Sequence, residues 1–279
     1  MEKNNIKLQT KEINPSIAKE AIAELIQLTG LQNVKSEIKS FIDTALNNLK
    51  RKQQNLPELP LALHMVFTGN PGTGKTTVAR IVGKILYAYG YLSSGHLVET
   101  DRSALVAGYV GQTAIKTTEV IKSALGGVLF IDEAYTLSAG TRGSNDFGQE
   151  AIDILLKLME DNRNDLMVIV AGYPNEMKTF IESNPGLKSR FNTYIKFEDY
   201  SNDELIILLE SLIKKYAFKL SGDAKELLQQ SFTYLRSDKS FANGRTVRNM
   251  FEELYKISSS GSTGSTLITE KDVRKWMEK

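Results

Sequence analysis

Short apolar runs alternate with segments of helical spacing between residues 63 and 197. Two of the runs, 128–131 and 167–171, are apolar throughout, which is typical of strands covered on both faces of a sheet. Because helical segments separate the runs, the pattern predicts an α/β fold with a parallel, doubly wound sheet of five strands. The predicted strands span residues 63–68, 97–100, 128–132, 166–171 and 194–197.

The pattern is helical on both sides of the predicted sheet. Residues 21–50 have helical spacing that is interrupted at Thr29 and Gly30, so we expect two helices there. After residue 200, Ser201 and Glu204 form a capping box that opens another helix. The other predicted segments are helices at about 223–235, from about 244 onward and at 269–278, and a Ser/Gly-rich loop at 258–265.

These changes in pattern predict three parts of the chain. Residues 1–20 are a polar tail, residues 21–199 form an α/β domain, and residues 200–279 form a small all-helical domain.

The loop after the first predicted strand carries the pattern G-x-x-x-x-G-K-[ST]. Its glycines let backbone N–H groups turn around a chain of phosphates, and the following helix N-terminus adds about half a positive charge. Lys75 is placed to reach the β- and γ-phosphates, and the Thr76 hydroxyl to ligate Mg²⁺. Because strand, loop and helix follow in register, we favour a nucleoside triphosphate site over a glycine-rich turn without a ligand. The residues predicted to bind nucleotide here are Gly69, Asn70, Pro71, Gly72, Thr73, Gly74, Lys75, Thr76 and Thr77.

Two carboxylates, Asp132 and Glu133, end the third predicted strand. Ligands bind at this end of the strands in open α/β sheets. Asp132 is predicted to hold Mg²⁺ through water, and Glu133 to polarise an attacking water. A glutamate at this place favours transfer of the phosphoryl group to water over transfer to a bound acceptor, so the sequence predicts hydrolysis of a nucleoside triphosphate with Mg²⁺.

Composition narrows the function classes. The net charge of +2 is too near neutral for a nucleic-acid-binding surface on charge alone. With no cysteine and two separated histidines, a disulfide framework and a zinc site are both disfavoured. His64 lies in a strand pattern and is expected to be a packed, hydrogen-bonded histidine rather than a ligand. No signal peptide or membrane-length apolar run is present, so we expect a cytoplasmic protein.

Further motifs follow the phosphate loop along the chain. The whole series reads G-N-P-G-T-G-K-T (69–76), G-Y-V-G-Q-T-A (108–114), G-G-V-L-F-I-D-E-A-Y (126–135), D-F-G-Q-E-A-I (146–152), V-A-G-Y-P (170–174), N-P-G-L-K-S-R-F (184–191) and F-A-N-G-R-T-V-R-N (241–249). Together these motifs, over roughly residues 20–260, resemble the CbxX/CfqX family of AAA+ ATPases. The resemblance implies an AAA+ P-loop domain followed by a helical lid.

The resemblance also implies an activity and partners. Members of this family hydrolyse ATP as hexameric rings and remodel a protein client, a chaperone-like function, so we expect a ring that pulls on a client through a central pore. Neither nucleic acid nor a membrane is an expected partner. The short segment before the first helix is most similar to the sporulation branch of the family, while the client itself stays unidentified.

The resemblance implies roles for residues outside the phosphate loop. Arg190 matches the arginine finger that reaches the neighbouring subunit's site, and its place after a Pro-Gly turn suits stabilisation of γ-phosphate charge. A surface arginine in an exposed ion pair is the alternative. Arg245 matches the sensor-2 arginine that contacts nucleotide, with Arg248 one turn further as the alternative. Gly30 and Leu31 match the segment that lines the adenine, and ordinary core residues are the alternative there.

Two loops match those that face the pore in AAA+ rings. Tyr109 and Val110 match the aromatic pore loop that grips substrate, against the alternative of a turn whose tyrosine packs locally. Residues 141–146, small and polar, match a second axial loop. Relatives also position the attacking water with a polar residue after the fourth strand, and here either Tyr173 or Asn175 is a candidate.

Two other function classes share parts of this pattern. A P-loop small-molecule kinase is also an α/β domain with a helical lid, but Glu133 and a cross-subunit Arg190 argue against it. A nucleic-acid-associated AAA+ loader shares most of the motifs, but the near-neutral charge and the aromatic pore loop argue against that.

Overall fold

A computed structural model describes residues 13–59, 61–109, 111–138, 147–261 and 266–278. The described chain divides into two compact units. The first comprises the described parts of Met1–Gln27, Asn33–Thr68 and Lys75–Lys196, and the second those of Leu28–Gln32, Gly69–Gly74 and Phe197–Lys279. No helix among the described residues combines the length and apolar character that crossing a membrane requires.

The first unit is built on a parallel sheet of five strands, as the apolar runs predict. The strands are β1 (Met65–Thr68), β2 (Leu97–Thr100), β3 (Val128–Ile131), β4 (Met167–Gly172) and β5 (Thr193–Lys196). They lie in the order β2-β3-β4-β1-β5, and every neighbouring pair is parallel. Strands β3 and β4 are buried along their whole length, which explains why their sequences are apolar throughout.

Helices connect and cover these strands. They are α1 (Pro15–Gln27), α2 (Gln32–Gln53), α3 (Lys75–Ala88), α4 (Arg102–Leu105), α5 (Gln112–Ser123), α6 (Phe147–Asp161), α7 (Pro174–Glu182) and α8 (Pro185–Arg190), with a 3₁₀ helix at Ala134–Ser138. Apolar periodicity misses α4 and α8 because they are too short to show it. Their caps fix them instead: Asp101 accepts from the N–H groups of Ser103 and Ala104, and Asn184 from that of Gly186.

The second unit contains the helices predicted after residue 200. They are α9 (Asn202–Lys215), α10 (Gly222–Leu235), α11 (Asn243–Gly261) and α12 (Glu270–Met277), with two parallel two-residue strands, β6 (Lys219–Leu220) and β7 (Leu267–Ile268). The capping box of Ser201 and Glu204 is confirmed.

The predicted loop at 258–265 is wrong at its start, because α11 continues to Gly261. Ser258 is buried in this last turn, and its hydroxyl donates to the carbonyl of Leu267 at 3.0 Å. That bond satisfies the serine inside the helix, whereas composition alone favours a loop. The remainder of the predicted loop, residues 262–265, lies outside the described residues.

His64 is a packed core residue, as its place in a strand pattern predicts. Its ring lies 6.0 Å from that of Phe191, and its Nδ1 accepts from the N–H of Val168 at 3.1 Å. Burial, with a smaller contribution from the positive charge of Arg190 and against the opposing effect of Glu160, lowers the pKa of His64 from 6.5 to about 4.

This lowered pKa predicts acid sensitivity of the fold. As the pH falls, His64 is protonated in the unfolded chain before it is protonated in the folded chain. The contribution of neutral His64 to the free energy of unfolding is therefore complete above pH 6.5 and is lost as the pH falls toward 4. At about pH 5 the expected loss is about 2 kcal/mol of unfolding free energy. Denaturant titrations at about pH 7.5 and 5 should show this extra loss relative to His64→Gln, whose amide oxygen can still accept from Val168. Equal losses in both proteins would contradict the assignment.

Candidate functional site

The phosphate loop of residues 69–74 belongs to the second unit, together with the helices that follow Phe197. Gly69, Gly72 and Gly74 all have positive φ, at 149°, 74° and 96°. A Cβ on Gly72 would lie only 2.0 Å from the carbonyl oxygen of Ala242, so only glycine allows this approach of two backbone segments.

Four successive carbonyl groups of this loop accept hydrogen bonds from within the same unit. The pairs are Thr73 Oγ1 to Asn70 O (2.8 Å), Asn243 Nδ2 to Pro71 O (3.3 Å), Gly244 N to Gly72 O (3.0 Å) and Tyr200 Oη to Thr73 O (3.2 Å). The side chain of Asn70 also donates to both oxygens of Asp199 at 3.0 Å. The loop is therefore held by one internal bond at Asn70 and by outside donors at its next three carbonyl groups.

The predicted adenine-lining residues also lie in the second unit. Gly30 and Leu31 have consecutive positive φ values of 60° and 58°, which is the sharp break between α1 and α2. Leu31 is buried, with its Cδ1 3.6 Å from the place that a Cβ on Gly74 would take. The Glu204 carboxylate lies against Gly30, where a Cβ would be 2.3 Å from Oε1. The chain thus brings this segment to the phosphate loop.

The two arginines considered for sensor 2 are exposed on the first turns of α11. The backbone nitrogen of Arg245 lies 2.8 Å from the place that a Cβ on Gly72 would take. Arg248 lies one turn further along the helix. Arg245 is therefore the one whose backbone borders the phosphate loop.

Lys75 and Thr76 open α3 in the first unit, and Thr77 follows them on the exposed side. Lys75 is buried despite its charge. The Thr76 hydroxyl donates to Oε1 of Glu99 on β2 at 3.3 Å. Glu99 is thus a polar neighbour of the predicted Mg²⁺ ligand, and no motif in the sequence marks it.

Asp132 and Glu133 follow β3 at its carboxyl end, as predicted. Glu133 has a positive φ of 48°, a conformation that costs free energy in a non-glycine residue. Its Oε2 is buried and has no hydrogen-bond partner among the described residues. A buried carboxylate oxygen without a partner is costly unless a further group, such as a water, occupies its lone pairs.

Tyr135 lies beside this carboxylate. Burial, and next a hydrogen bond from its hydroxyl to the Glu133 side chain, raise the pKa of Tyr135. Its ring lies 6.4 Å from that of Tyr173 and against Gly172, where a Cβ would come within 2.8 Å of it. Of the two candidates for positioning the attacking water, Tyr173 packs against Tyr135, the neighbour of Glu133, while Asn175 lies exposed in the first turn of α7.

An open groove of about 800 Å³ runs along the carboxyl ends of β2 and β3. It is lined by Glu99, Thr100, Asp101, Arg102, Ser103, Ala104, Val106, Asp132, Glu133 and Thr136. Arg102 donates to the carbonyls of Thr136 and Leu137 at 2.6 and 3.2 Å, which braces the 3₁₀ helix after the acidic pair. Within the described chain, no three His, Asp or Glu side chains are placed to hold a metal ion by themselves.

Arg190 is the last residue of α8, and its side chain is 28% exposed. Its guanidinium lies 3.4 Å from Oε2 of Glu160 and 3.4 Å from the carbonyl of Gly186, while its Nε is buried without a partner among the described residues. The ion pair that the sequence left as an alternative is thus present in the single chain.

Tyr109 is 74% exposed. The glycines on either side, Gly108 and Gly111, have open space where a Cβ would stand, and Gly111 has a positive φ of 78°. Tyr109 is therefore mostly free of packing against the described residues. Val110 and the second predicted axial loop at 141–146 lie outside the described residues.

Two family models match consecutive parts of the chain. Residues 65–199 match the ATPase family associated with various cellular activities (AAA), and residues 201–275 match an AAA lid domain. The structure of a FIGL-1 AAA domain in complex with ADP has the same fold, with a TM-score of 0.63 at 16% identity over 95% of this chain and 90% of that one.

Individual proteins match over most of their length. Stage V sporulation protein K of Bacillus subtilis (strain 168) is 45% identical over 88% of this chain and 77% of that protein. The plasmid-encoded protein CbxX of Cupriavidus necator is 43% identical over 85% and 76%. The chloroplastic ribulose bisphosphate carboxylase/oxygenase activase of Cyanidioschyzon merolae is 43% identical over 81% and 77%.

The five-stranded parallel sheet, the phosphate loop and the helical lid define an AAA+ ATPase. Within that class, the chain belongs to the CbxX family, which confirms the resemblance carried by its motifs. It is accordingly an enzyme that hydrolyses ATP, in a family that remodels proteins.

Proposed function

We propose that this ATPase assembles into a hexameric ring and pulls a protein client through the central pore. The observation that carries this proposal is Tyr109, a largely exposed aromatic side chain between two glycines at which a Cβ would meet no described atom within 4 Å. Exposing an aromatic side chain to water costs free energy, and the exposed ring offers apolar area that can bind an extended client chain. In a ring, one copy of this loop from each subunit would face the central pore, where the tyrosines together could grip the client chain.

In the proposed nucleotide cycle, residues 69–77 bind the phosphates, with Lys75 at the β- and γ-phosphates. Thr76 and Asp132 would hold Mg²⁺, which neutralises phosphate charge when it is bound. Oxygen ligands suit this ion, and phosphate and water would have to supply the remaining ligands, because among the described residues these side chains are too few to hold it alone. Gly30, Leu31 and Arg245 would contact the rest of the nucleotide.

Glu133 is the proposed base that orients the attacking water. Its buried Oε2, which has no hydrogen-bond partner among the described residues, offers an acceptor to a water proton, and Glu133 keeps a costly positive φ of 48°. Tyr135, whose pKa is raised in part by this carboxylate, is proposed to support Glu133 from beside it. Of Tyr173 and Asn175, we favour Tyr173 as the residue that positions the attacking water, because its ring packs against that of Tyr135.

Arg190 is the proposed arginine finger and the reason to expect a ring. In the single chain its partners are Glu160 and Gly186, not the acidic pair after β3. An arginine that is to act on another subunit's γ-phosphate must exchange such partners on assembly. A 3.4 Å pair whose glutamate is about half exposed to water is a weak one.

The setting is proposed from the relatives. Similarity to stage V sporulation protein K supports a role in sporulation, and similarity to a carboxylase/oxygenase activase supports a protein client. We place the ring in the cytoplasm, where ATP is supplied. Neither a nucleic-acid nor a membrane partner is proposed.

Tyr109→Ala tests this proposal by separating ATP hydrolysis from client handling. Burying one tyrosine against a client chain contributes about 1.5–3 kcal/mol, and the loss is repeated in each subunit. We expect the variant to hydrolyse ATP within a few-fold of wild type but to lose the stimulation of hydrolysis by fluorescein-labelled casein, used as an unstructured client. Tyr109→Phe should keep the stimulation, because it keeps the ring.

Tyr234→Ala is the matched control, because Tyr234 on α10 is also 74% exposed. It should respond to casein like wild type. Stimulation that persists in Tyr109→Ala at the wild-type level, with casein shown to bind, would contradict a threading pore at this loop.

A further inference from the structure

The phosphate loop is anchored by the start of α11 and by the segment before α9, and this arrangement has a directional consequence. The carbonyls of Pro71, Gly72 and Thr73 accept in turn from the Asn243 side chain, the Gly244 N–H and the Tyr200 hydroxyl. No cis peptide bond occurs in the described chain. In a planar trans peptide, the N–H points away from the C=O.

We propose that Asn243 and Tyr200 are positioning residues that orient the phosphate-binding N–H groups of the loop. Holding the Pro71 and Thr73 carbonyls outward turns the N–H groups of Gly72 and Gly74 to the opposite, inner side. The Gly244 N–H does the same for the peptide that carries the N–H of Thr73. This inference rests on the proposed nucleotide site at residues 69–77 and adds what prepares it for phosphate.

Asn243 is specialised for this position. It is fully buried and has a positive φ of 46°, a region that asparagine occupies more readily than most residues. Its Nδ2 donates to Asp199 Oδ1 at 2.8 Å as well as to Pro71, and its Oδ1 accepts from the Tyr200 N–H at 3.1 Å. Both ends of the amide are satisfied, so the side chain is fixed in one orientation.

Asp199 links the phosphate loop to the start of α11. Its carboxylate accepts from Asn243 and, with both oxygens, from the side chain of Asn70. These are side-chain N–H donors to a charged acceptor, the stronger kind of hydrogen bond. A carboxylate near a phosphate site would repel the ligand, but here both carboxylate oxygens accept from amide donors.

The consequence is that residues 199–200 and 243–244 of the second unit are tied by hydrogen bonds to the phosphate loop and hold its conformation. Displacing Asn243 or Tyr200 frees the carbonyls, and each freed peptide can rotate its N–H away from the phosphates. The loop would then bind phosphate less tightly while Lys75 and Glu133 stay intact. Preorganised donors of this kind contribute to binding because no free energy is spent on turning them.

The test uses two variants of different severity in the full chain. Tyr200→Phe removes one oxygen atom. Asn243→Gly keeps a residue that adopts positive φ and removes the amide. We expect each to weaken binding of ATP and of inorganic triphosphate about fivefold to tenfold by titration calorimetry, the size of one or two neutral hydrogen bonds. The KM for ATP should rise by the same factor while kcat falls by less than about twofold.

Asn202→Ala is the control for general weakening of the lid. Asn202 makes comparable bonds, to Thr233 at 3.0 Å and from Arg236 at 2.7 Å, but none to the phosphate loop. It should lower the melting temperature without changing either affinity. If it weakens both ligands as much as the two variants do, positioning is overturned in favour of general stability.

Lys75→Ala separates this inference from the site on which it rests. If Lys75→Ala abolishes binding while Tyr200→Phe and Asn243→Gly bind within twofold of wild type, the site stands and the positioning role is overturned. If Lys75→Ala itself binds both ligands like wild type, the nucleotide site is overturned. Should Asn243→Gly fail to fold, Tyr200→Phe decides alone.

Discussion

Replacing Arg190 by alanine should leave ATP binding at its wild-type level and lower the hydrolysis rate about 10³-fold, the usual worth of an arginine finger. The charge is proposed to act on the γ-phosphate in the neighbouring subunit, so its loss leaves the phosphate loop of its own chain intact. Binding of a fluorescent ATP analogue and release of phosphate, measured on the same preparation, check the two halves of this prediction.

Lys188→Ala is the matched control for the arginine. Lys188 carries the same charge two residues earlier on α8 and is exposed. We expect its hydrolysis rate to stay within about twofold of wild type, as for most surface substitutions. Glu160→Gln should also hydrolyse ATP, because it weakens the ion pair that Arg190 makes in the single chain but leaves the arginine itself in place. A large loss in Lys188→Ala and none in Arg190→Ala would reverse the assignment.

Glu133→Gln should bind ATP normally and hydrolyse it at least about 100-fold more slowly. The substitution keeps the size of the side chain and removes the base that orients water, an effect of about 10²–10⁴-fold. Pre-steady-state phosphate release after mixing with ATP measures it. Trapped in the ATP state, the variant should also sediment as a ring, which the family resemblance implies.

Glu176→Gln controls for the loss of a negative charge near the same tyrosine. Glu176 lies on α7, close enough to raise the pKa of Tyr135, as Glu133 does. Its replacement should change hydrolysis less than a few-fold. Hydrolysis by Glu133→Gln at more than about a tenth of the wild-type rate would show that another group orients the water.

Local sequence signals were enough for the sheet and for the phosphate loop. Four-residue apolar runs such as β3 have to be buried strands, and the glycines of residues 69–74 need positive φ. Glu133 and Lys75 were found because each belongs to a motif within one strand, turn and helix. These features depend on neighbours along the chain, which is what a sequence displays.

Other features depend on contacts between distant segments. Asn70 meets Asp199 across 129 residues, and Asn243 meets Pro71 across 172. Neither pair has a spacing or composition that marks it. A buried asparagine at the start of a helix was visible only as part of the N-G-R motif, which drew attention to the arginine instead.

The ion pair of Arg190 with Glu160 illustrates the same limit in the site itself. The sequence offered a finger or a surface ion pair as alternatives, and the single chain shows the pair. The ion pair and the arginine finger are compatible if Arg190 leaves Glu160 when the ring assembles. Tyr135 was also missed, because its place beside Glu133 follows from the unusual φ of Glu133 and from the absence of a side chain at Gly172.

Mixing two inactive variants tests the central claim, a site shared by two subunits, most directly. Lys75→Ala cannot bind ATP but retains Arg190, and Arg190→Ala binds ATP but lacks the finger. Each alone should be inactive. In mixed rings, with co-assembly shown by energy transfer between labelled chains, we predict that hydrolysis returns to a substantial fraction of the wild-type rate, because a Lys75→Ala neighbour supplies Arg190. Mixed rings that assemble but hydrolyse no ATP would contradict the account.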